Sequence, residues 1–135
     1  MPEQPLIQIT FGLNDPELED RQRLQFSTRV LGELRDLDEV ERADRTEVFS
    51  AEAGAKGFET LVGFLTADVT VLGLKEFAGW MGDRFADQPM KVRVKVGEQE
   101  VELEARSRKE LADVEQVANN LLAAMKADGT QHGSA

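Results

Sequence analysis

The spacing of apolar residues predicts the first strand and the first helix. Residues 6–11 (LIQITF) alternate apolar and polar side chains, and this period of two is typical of a strand with one buried face. Residues 14–17 (NDPE) predict a helix start, because Asp caps unpaired N–H groups, Pro suits the first helical position and Glu opposes the helix dipole. Apolar residues then keep helical spacing, so we expect a helix from about Asp15 to Leu37.

The middle of the chain is assigned from weaker patterns. Val40–Arg45 is predicted as a second strand, and Ser50–Gly57, which contains two glycines, as an exposed loop. From Phe58 to Phe85, apolar residues fall on almost every side of a helical projection, which indicates a buried or partner-covered helix. We expect two helices there, divided near Ala67–Thr70, because β-branched residues crowd that part of the chain.

The most regular pattern is a β-hairpin. Residues 90–96 (MKVRVKV) and 100–105 (EVELEA) alternate without a break, and Gly97-Glu98 supplies a two-residue turn of type II′. Counting from that turn places opposite charges across from each other on one face and apolar pairs on the other. We interpret the charged face as a solvated ladder in preference to a docking surface. The predicted pairs are Lys95 with Glu100, Arg93 with Glu102, Lys91 with Glu104, Val94 with Val101 and Val92 with Leu103.

The last predicted element is a helix, and it completes the fold class. Residues 107–110 (SRKE) form a capping box, an apolar stripe runs from Leu111 to Met125, and Gly129 is placed to end the helix. The predicted order is therefore β-α-β-α-α-β-β-α, an α+β two-layer sandwich with its helices on one sheet face. We expect a single domain over residues 1–128 and a flexible C-terminal tail over 129–135.

Composition and charge narrow the classes of partner. Of 135 residues, 41% are hydrophobic and 31% are charged, which is typical of a soluble globular domain. The formal net charge of −10 repels phosphate backbones and anionic lipid, so we predict neither nucleic acid nor a membrane as a partner. With no Cys and no basic, apolar leader at the N-terminus, a cytoplasmic location is expected.

Candidate catalytic chemistry is sparse in this sequence. Cys and Tyr are absent, and the single His is His132, close to the C-terminus. Residues 54–57 (GAKG) lack the spacing of a phosphate-binding loop. We therefore predict no catalytic residue, no cofactor and no metal site. Asp68 is an acid in the middle of the apolar segment, and we interpret it as a cap at the helix break in preference to a general acid or base.

Three aromatic residues are candidate contacts for a partner protein. Trp is enriched at interaction hot spots, which makes Trp80 a candidate, although packing between helices is the alternative role for most aromatics of that segment. Phe49 stands beside a polar stretch that does not readily bury it. The third candidate is Phe58, which begins the apolar segment.

The order of these elements can also be compared with a known family. Residues 14–17 (NDPE) open a charged helix that ends in LRDL, and a Gly-bearing loop precedes residues 61–65 (LVGFL). Residues 81–85 (MGDRF), the VRV and VELEA strands and the helix opened by SRKEL follow in turn. Over about residues 6–126, this layout resembles the small bacterial effector-associated constant component family. One departure is the stretch from Thr46 to Gly57, which is Pro-poor where a Pro is expected.

The resemblance implies a non-catalytic adaptor with no catalytic residues to carry over. Members of that family are encoded beside caspase-like or trypsin-like peptidases in bacterial conflict (defence) systems. Our first hypothesis is accordingly a cytoplasmic protein-interaction module that binds a peptidase-type effector through an apolar helical surface or a sheet edge. The alternative is a small-ligand sensor or carboxylate-based enzyme, with Asp68 in a pocket between the helices. A homo-oligomer joined through an exposed sheet edge is a third hypothesis.

Overall fold

A computed structural model describes residues 6–53 and 62–134 of the chain, and the surroundings of side chains over 6–49 and 62–125. It confirms the predicted α+β fold, with five strands and four helices in the described ranges. The hairpin strands, the second strand and the first strand all lie where the sequence predicts them. In chain order the elements are β1 (Leu6–Leu13), α1 (Asp20–Arg35), β2 (Val40–Arg45), α2 (Thr46–Ala53), β3 (Leu65–Thr70), α3 (Leu74–Arg84), β4 (Met90–Val96), β5 (Gln99–Ala105) and α4 (Arg108–Ser134).

The strands form one antiparallel sheet in the order β2-β3-β1-β4-β5. Every predicted cross-strand pair of the hairpin is present in the β4–β5 register. Gly97 has a φ of +60°, whereas Glu98 has a negative φ, which is the sign pattern of the predicted type II′ turn. The central strand β1 is thus held between β3 and β4, and β2 and β5 are the two edge strands.

The inner face of the sheet carries the main hydrophobic core. Alternate residues of β1, β3 and β4 are buried there beneath α1, α3 and α4. The core continues along one stripe of α4, which begins at the predicted capping box, where the Glu110 N–H donates to the Ser107 Oγ over 3.2 Å. The largest fully buried side chains are Phe11, Phe77, Phe85, Ile7, Ile9, Leu34, Leu65, Met81, Met90, Leu111, Val30 and Val69.

Helix α2 packs on the opposite, outer face of the sheet. The hydroxyl of its first residue, Thr46, lies 3.1 Å from that of Thr66, which in turn lies 2.8 Å from that of Thr10. Thr66 and Thr10 are directly opposite each other in the β3–β1 register, on the face away from the core. Beside them, Phe64 is buried against Gly12, so the outer face has a small packed layer of its own.

The threonine chain gives a test of this outer layer. Thr66→Val is expected to lower the free energy of unfolding by about 1–2 kcal/mol, because it leaves two buried hydroxyls without their shared partner. Urea unfolding measures the change. Replacing Thr10, Thr46 and Thr66 together by Val removes the unpaired hydroxyls, so the triple variant should be less destabilised than Thr66→Val. Unaltered stability of the single variant would contradict the proposed hydroxyl chain.

The first helix begins later than predicted. Asp15 accepts a hydrogen bond from the Glu17 N–H over 3.0 Å, which makes a turn and not a helix cap. The N-cap is Glu19, whose N–H donates to the Gln22 side chain over 2.9 Å. At the other end of the chain, α4 continues past Gly129 to Ser134 instead of ending at the predicted glycine. Glycine is a poor helix former but is tolerated within a helix.

The segment predicted as two helices is corrected by the structure. Residues 65–70 form β3, and only α3 is helical in the described part of that segment. The apolar residues Leu65, Ala67 and Val69 alternate with polar ones and are buried beneath the helices, so the strand signal was present but was outweighed by the surrounding apolar density. Residues 50–53, predicted as loop, end α2; residues 54–61 lie outside the described residues.

An ion pair ties α1 to α3 and predicts a dependence of stability on pH. The Arg84 guanidinium donates to both carboxylate oxygens of Glu33, over 2.8 and 3.0 Å. These hydrogen bonds hold the pKa of Glu33 below its ordinary value of 4.5. Because this pKa is lower in the folded state than in the unfolded state, the ion pair stabilises the fold at pH values above the ordinary pKa. That contribution is lost as the pH falls through the folded-state pKa.

Glu33→Gln is therefore expected to destabilise the protein at pH 7 by up to about 1 kcal/mol, the upper end for partly exposed pairs. The difference from the parent protein should close on acidification below the folded-state pKa. Thermal unfolding of both proteins, from pH 7 down to values below the folded-state pKa of Glu33, measures the destabilisation and its loss on acidification. Glu76→Gln, on the exposed side of α3, is the control, since Glu76 makes no ion pair in the described part of the chain. A pH-independent difference would contradict the linkage.

Candidate interaction surfaces

The outer edge of β5 is the most open regular feature of the sheet. β5 is the last strand in the sheet order, and no described segment pairs with its far side. Residues 99–102 and Glu104 are exposed, while the seven pairs with β4 hold the strand in a defined register. An edge strand of this kind presents a row of unpaired backbone donors and acceptors.

The hairpin turn determines which residues direct their backbone groups to that edge. A two-residue turn makes Val96 and Gln99 a hydrogen-bonded pair, and hydrogen-bonded and non-hydrogen-bonded pairs alternate from there. The odd-numbered residues of β5 therefore bond to β4, and the even-numbered residues point away from it. The outward-facing N–H and C=O groups are those of Glu100, Glu102 and Glu104.

The charges along this edge are unevenly neutralised. The Glu102 carboxylate lies 3.0 Å from the Lys91 Nζ and 2.9 Å from the Arg93 guanidinium, and hydrogen bonds from Arg93 and then Lys91 lower its pKa. Lys91 thus reaches diagonally to Glu102 although its register partner is Glu104. Within the described ranges, Glu100 and Glu104 make no ion pair, so the edge keeps a negative charge at each end.

The opposite edge strand, β2, is partly covered. The Arg35 side chain of α1 donates to the Ala43 carbonyl over 3.1 Å and lies 3.5 Å from the Asp44 carboxylate. The register of β2 is also irregular between Val40 and Arg42. Because bulges and overlying side chains disrupt a regular ladder, β2 is a poorer template for an added strand than β5.

The predicted contact residues lie in different parts of the fold. Phe49 is only 8% exposed, with the Arg42 guanidinium 4.3 Å from the centre of its ring. Trp80 is half-buried, and its ring centre lies 5.7 Å from that of Phe77 and 5.5 Å from that of Phe85. Phe58 lies outside the described residues. Two of the three candidates are thus packed against their own chain, and their role in partner contact stays a prediction.

Asp68, the candidate acid, lies in the middle of β3 and not at a helix break. It is half-buried on the outer face, with Arg42 and Gln8 as its cross-strand neighbours. Burial raises the pKa of Asp68, while a hydrogen bond with Gln8 and the positive charge of Arg42 oppose the shift. The surface depression beside β2 is lined by Arg35 and residues 40–44, and Asp68 is not part of its lining.

In the described part of the chain, no group of three or more His, Asp or Glu side chains is placed to hold a metal ion. Of the helices that the structure describes, none combines the length and the apolar character needed to span a bilayer. The strongest geometric feature is therefore the β5 edge.

Comparisons of the chain with protein-family models, curated proteins and solved structures found no match. The resemblance to the effector-associated constant component family consequently stays a prediction.

The sequence indicated the β5 strand but not its position at the edge. Alternation and turn length determine the pairing within a hairpin. The position of the hairpin in the sheet depends instead on the pairing of β4 with β1, a strand that is distant in the chain. That no further described strand pairs with the three glutamate backbones follows from that position. The sequence hypotheses included a sheet edge as a route both to a partner protein and to self-association, but they did not identify which edge.

Proposed function

We propose that the protein is a non-catalytic interaction module of the adaptor type, acting in the cytoplasm. The observation that carries the proposal is the open edge of β5, a seven-residue strand in fixed register whose outer backbone groups pair with no segment that the structure describes. Extended segments of other proteins add to such edges as a further strand, with main-chain hydrogen bonds supplying affinity.

The partner class implied by the family resemblance is a peptidase-type effector, caspase-like or trypsin-like, of a bacterial conflict system. In this proposal, the chain binds such a partner without catalysing a reaction. The net charge of −10 supports a protein partner with a basic surface, since complementary charge accelerates encounter and disfavours wrong partners. Effectors with exposed basic segments are therefore the first partners to test.

The test compares two substitutions at one position of the edge. Glu102→Pro removes an outward N–H while leaving the hydrogen bonds to β4 in place, and proline is tolerated at such edge positions. Glu102→Gln removes the same carboxylate but keeps the N–H. Tagged parent and variant proteins are expressed in the organism of origin, and cross-linked complexes are compared by mass spectrometry.

The expected result is a complex formed by the parent and by Glu102→Gln but lost in Glu102→Pro. Thermal unfolding of both variants shows that each is folded. Complexes that are the same for all three proteins would overturn the assignment of the interaction to this edge. No complex in any of them would overturn the adaptor function.

The second candidate is a small-ligand sensor or carboxylate-based enzyme. The observation that favours it is the half-buried Asp68, whose pKa is raised by burial beside Arg42. Thermal shift of the parent protein and of Asp68→Asn against a panel of small ligands tests this function. Stabilisation of the parent that Asp68→Asn abolishes would support it, and equal responses from both would reject it.

A further inference from the structure

The side chains of β5 select the chemistry of the segment that can pair with it. We propose that β5 binds an extended segment of a partner protein in which Lys or Arg alternates with apolar residues. This inference rests on the proposed function and specifies its partner. It follows from the register of the hairpin, the charge of the edge and the exposed apolar residues between the charges.

The three outward-facing residues of β5 are all glutamates. If a further strand pairs antiparallel with β5, each of these glutamates forms a hydrogen-bonded pair with the residue of the incoming strand directly across from it. Directly opposite side chains on one face of a sheet interact most strongly, and opposite charges stabilise the pairing. The incoming strand therefore gains most when it presents Lys or Arg at the positions across from Glu100, Glu102 and Glu104.

The carboxylates are available for this role to different extents. Glu100 and Glu104 are exposed and make no ion pair within the described ranges. Glu102 already accepts hydrogen bonds from Lys91 and Arg93. A basic strand therefore neutralises chiefly the two ends of the edge, where negative charge is left over.

The residues between the glutamates are apolar and incompletely covered. Val101 is 39% exposed, and Leu103 is half-buried at the margin of the core. Both lie on the inner face of the sheet, the face against which α4 packs. Apolar residues at alternate positions of an added strand lie beside them and extend that face, which places apolar and basic residues in strict alternation.

The protein itself contains one strand that satisfies this requirement. β4 (MKVRVKV) pairs with β5 along the edge opposite to the open one, over seven residue pairs. Its basic residues lie across from the glutamates, and its valines lie across from Val101 and Leu103. An added strand of the same pattern meets the same row of glutamates from the other side.

A second copy of the chain does not meet the requirement at this edge. Antiparallel pairing of two β5 strands places outer-face residues across from outer-face residues, and over residues 100–104 these are all glutamates. Like charges directly opposite each other are destabilising. The glutamate row therefore disfavours self-association while permitting a basic partner.

The test uses synthetic peptides with the purified protein. The probe copies Met90–Val96 with a fluorophore at one end, and a first control carries Glu at its three basic positions. A second control has the composition of the probe but places the three basic residues together, which keeps the charge and removes the alternation. Fluorescence anisotropy gives affinities, and amide hydrogen exchange followed by NMR locates the contact.

The expected result is saturable binding of the probe, with both control peptides weaker by about tenfold or more. The bound probe should slow exchange at the amides of Glu100, Glu102 and Glu104. The odd-numbered amides of β5 already bond to β4 and should change little. Added salt should weaken binding, because the pairs are solvent-exposed.

Substitutions in β5 separate the contribution of charge from that of the backbone. The double variant Glu100→Gln/Glu104→Gln should weaken the probe about fivefold through lost charge alone. Glu102→Pro should bind the probe at least about tenfold more weakly than Glu102→Gln, which lacks the same carboxylate.

Equal binding of the probe and either control peptide, or unaltered exchange at the three glutamate amides, would overturn the proposed partner chemistry. Failure here is distinguishable from failure of the adaptor function. If the probe does not bind but Glu102→Pro still loses a cellular complex that Glu102→Gln keeps, the result supports the adaptor function and contradicts only the proposed chemistry of its partner.

Discussion

Phe85→Ala is expected to lower the free energy of unfolding by about 3–5 kcal/mol, the range for removing a fully buried aromatic ring. Phe85 is 0% exposed, and its ring centre lies 5.6 Å from that of Phe11, 5.6 Å from that of Phe26 and 5.5 Å from that of Trp80. These neighbours belong to β1, α1 and α3. Truncation therefore leaves a cavity where one strand and two helices meet.

Urea unfolding measures this effect as a lower midpoint with an unchanged slope. Leu72→Ala is the matched control, because Leu72 lies in the turn before α3 and is 82% exposed. Its free energy of unfolding should change by less than about 0.5 kcal/mol. If both substitutions cost the same, Phe85 would not be the centre of the aromatic cluster.

The cluster around Phe85 also bears on the role of Trp80. The Trp80 ring meets the Phe85 ring nearly edge-on, at 85°, which is a favourable aromatic geometry. A half-buried Trp held in this way stabilises the contact between α3 and the core. The apolar density that made the segment around Trp80 a candidate interaction surface is thus largely accounted for by packing within the chain.

The elements best predicted from sequence were those with local signals. The hairpin carries its own register, since turn length and alternation together determine every pair from Val96–Gln99 to Met90–Ala105. The capping box at Ser107–Glu110 is similarly contained within four residues. In both cases the residues that determine the structure are neighbours in the chain.

The elements predicted wrongly depend on distant contacts. β3 alternates apolar and polar residues, but its flanks are apolar, so a helical period could be read through the whole segment. It is a strand because β1 and β2 pair with it on either side. Helix α2 is likewise held on the outer face by a hydroxyl contact between Thr46 and Thr66, 20 residues apart.

The candidate site shows the same division. The glutamates of β5 were recognised as members of a charged ladder, and their cross-strand partners were predicted correctly. Their exposure to a further strand depends on the sheet order, which places β5 beyond β4 at the end of the sheet. Phe49 was singled out because its flanks are polar, yet the Arg42 side chain from the neighbouring strand covers its ring.

Gly12→Val tests the packed layer on the outer face and should lower the free energy of unfolding by about 3 kcal/mol, the upper end for overpacking. A Cβ at Gly12 would lie 2.4 Å from the nearest atom of the Phe64 ring. Phe64 cannot simply withdraw, because it is only 7% exposed and its carbonyl accepts a hydrogen bond from the Thr46 N–H over 3.0 Å. The added side chain therefore strains the contact between Phe64, which precedes β3, and Thr46 at the start of α2.

Gly32→Ala in α1 is the matched control, because a Cβ at Gly32 meets nothing within 4 Å. That substitution should stabilise the protein by about 0.5–1 kcal/mol through reduced backbone freedom and better helix propensity. Combining Gly12→Val with Phe64→Ala should cost less than the sum of the two single changes, since contacting residues are not additive. Additive costs would mean that Phe64 does not lie over Gly12, and the outer face would then lack the packed layer that positions α2 opposite the helices of the core.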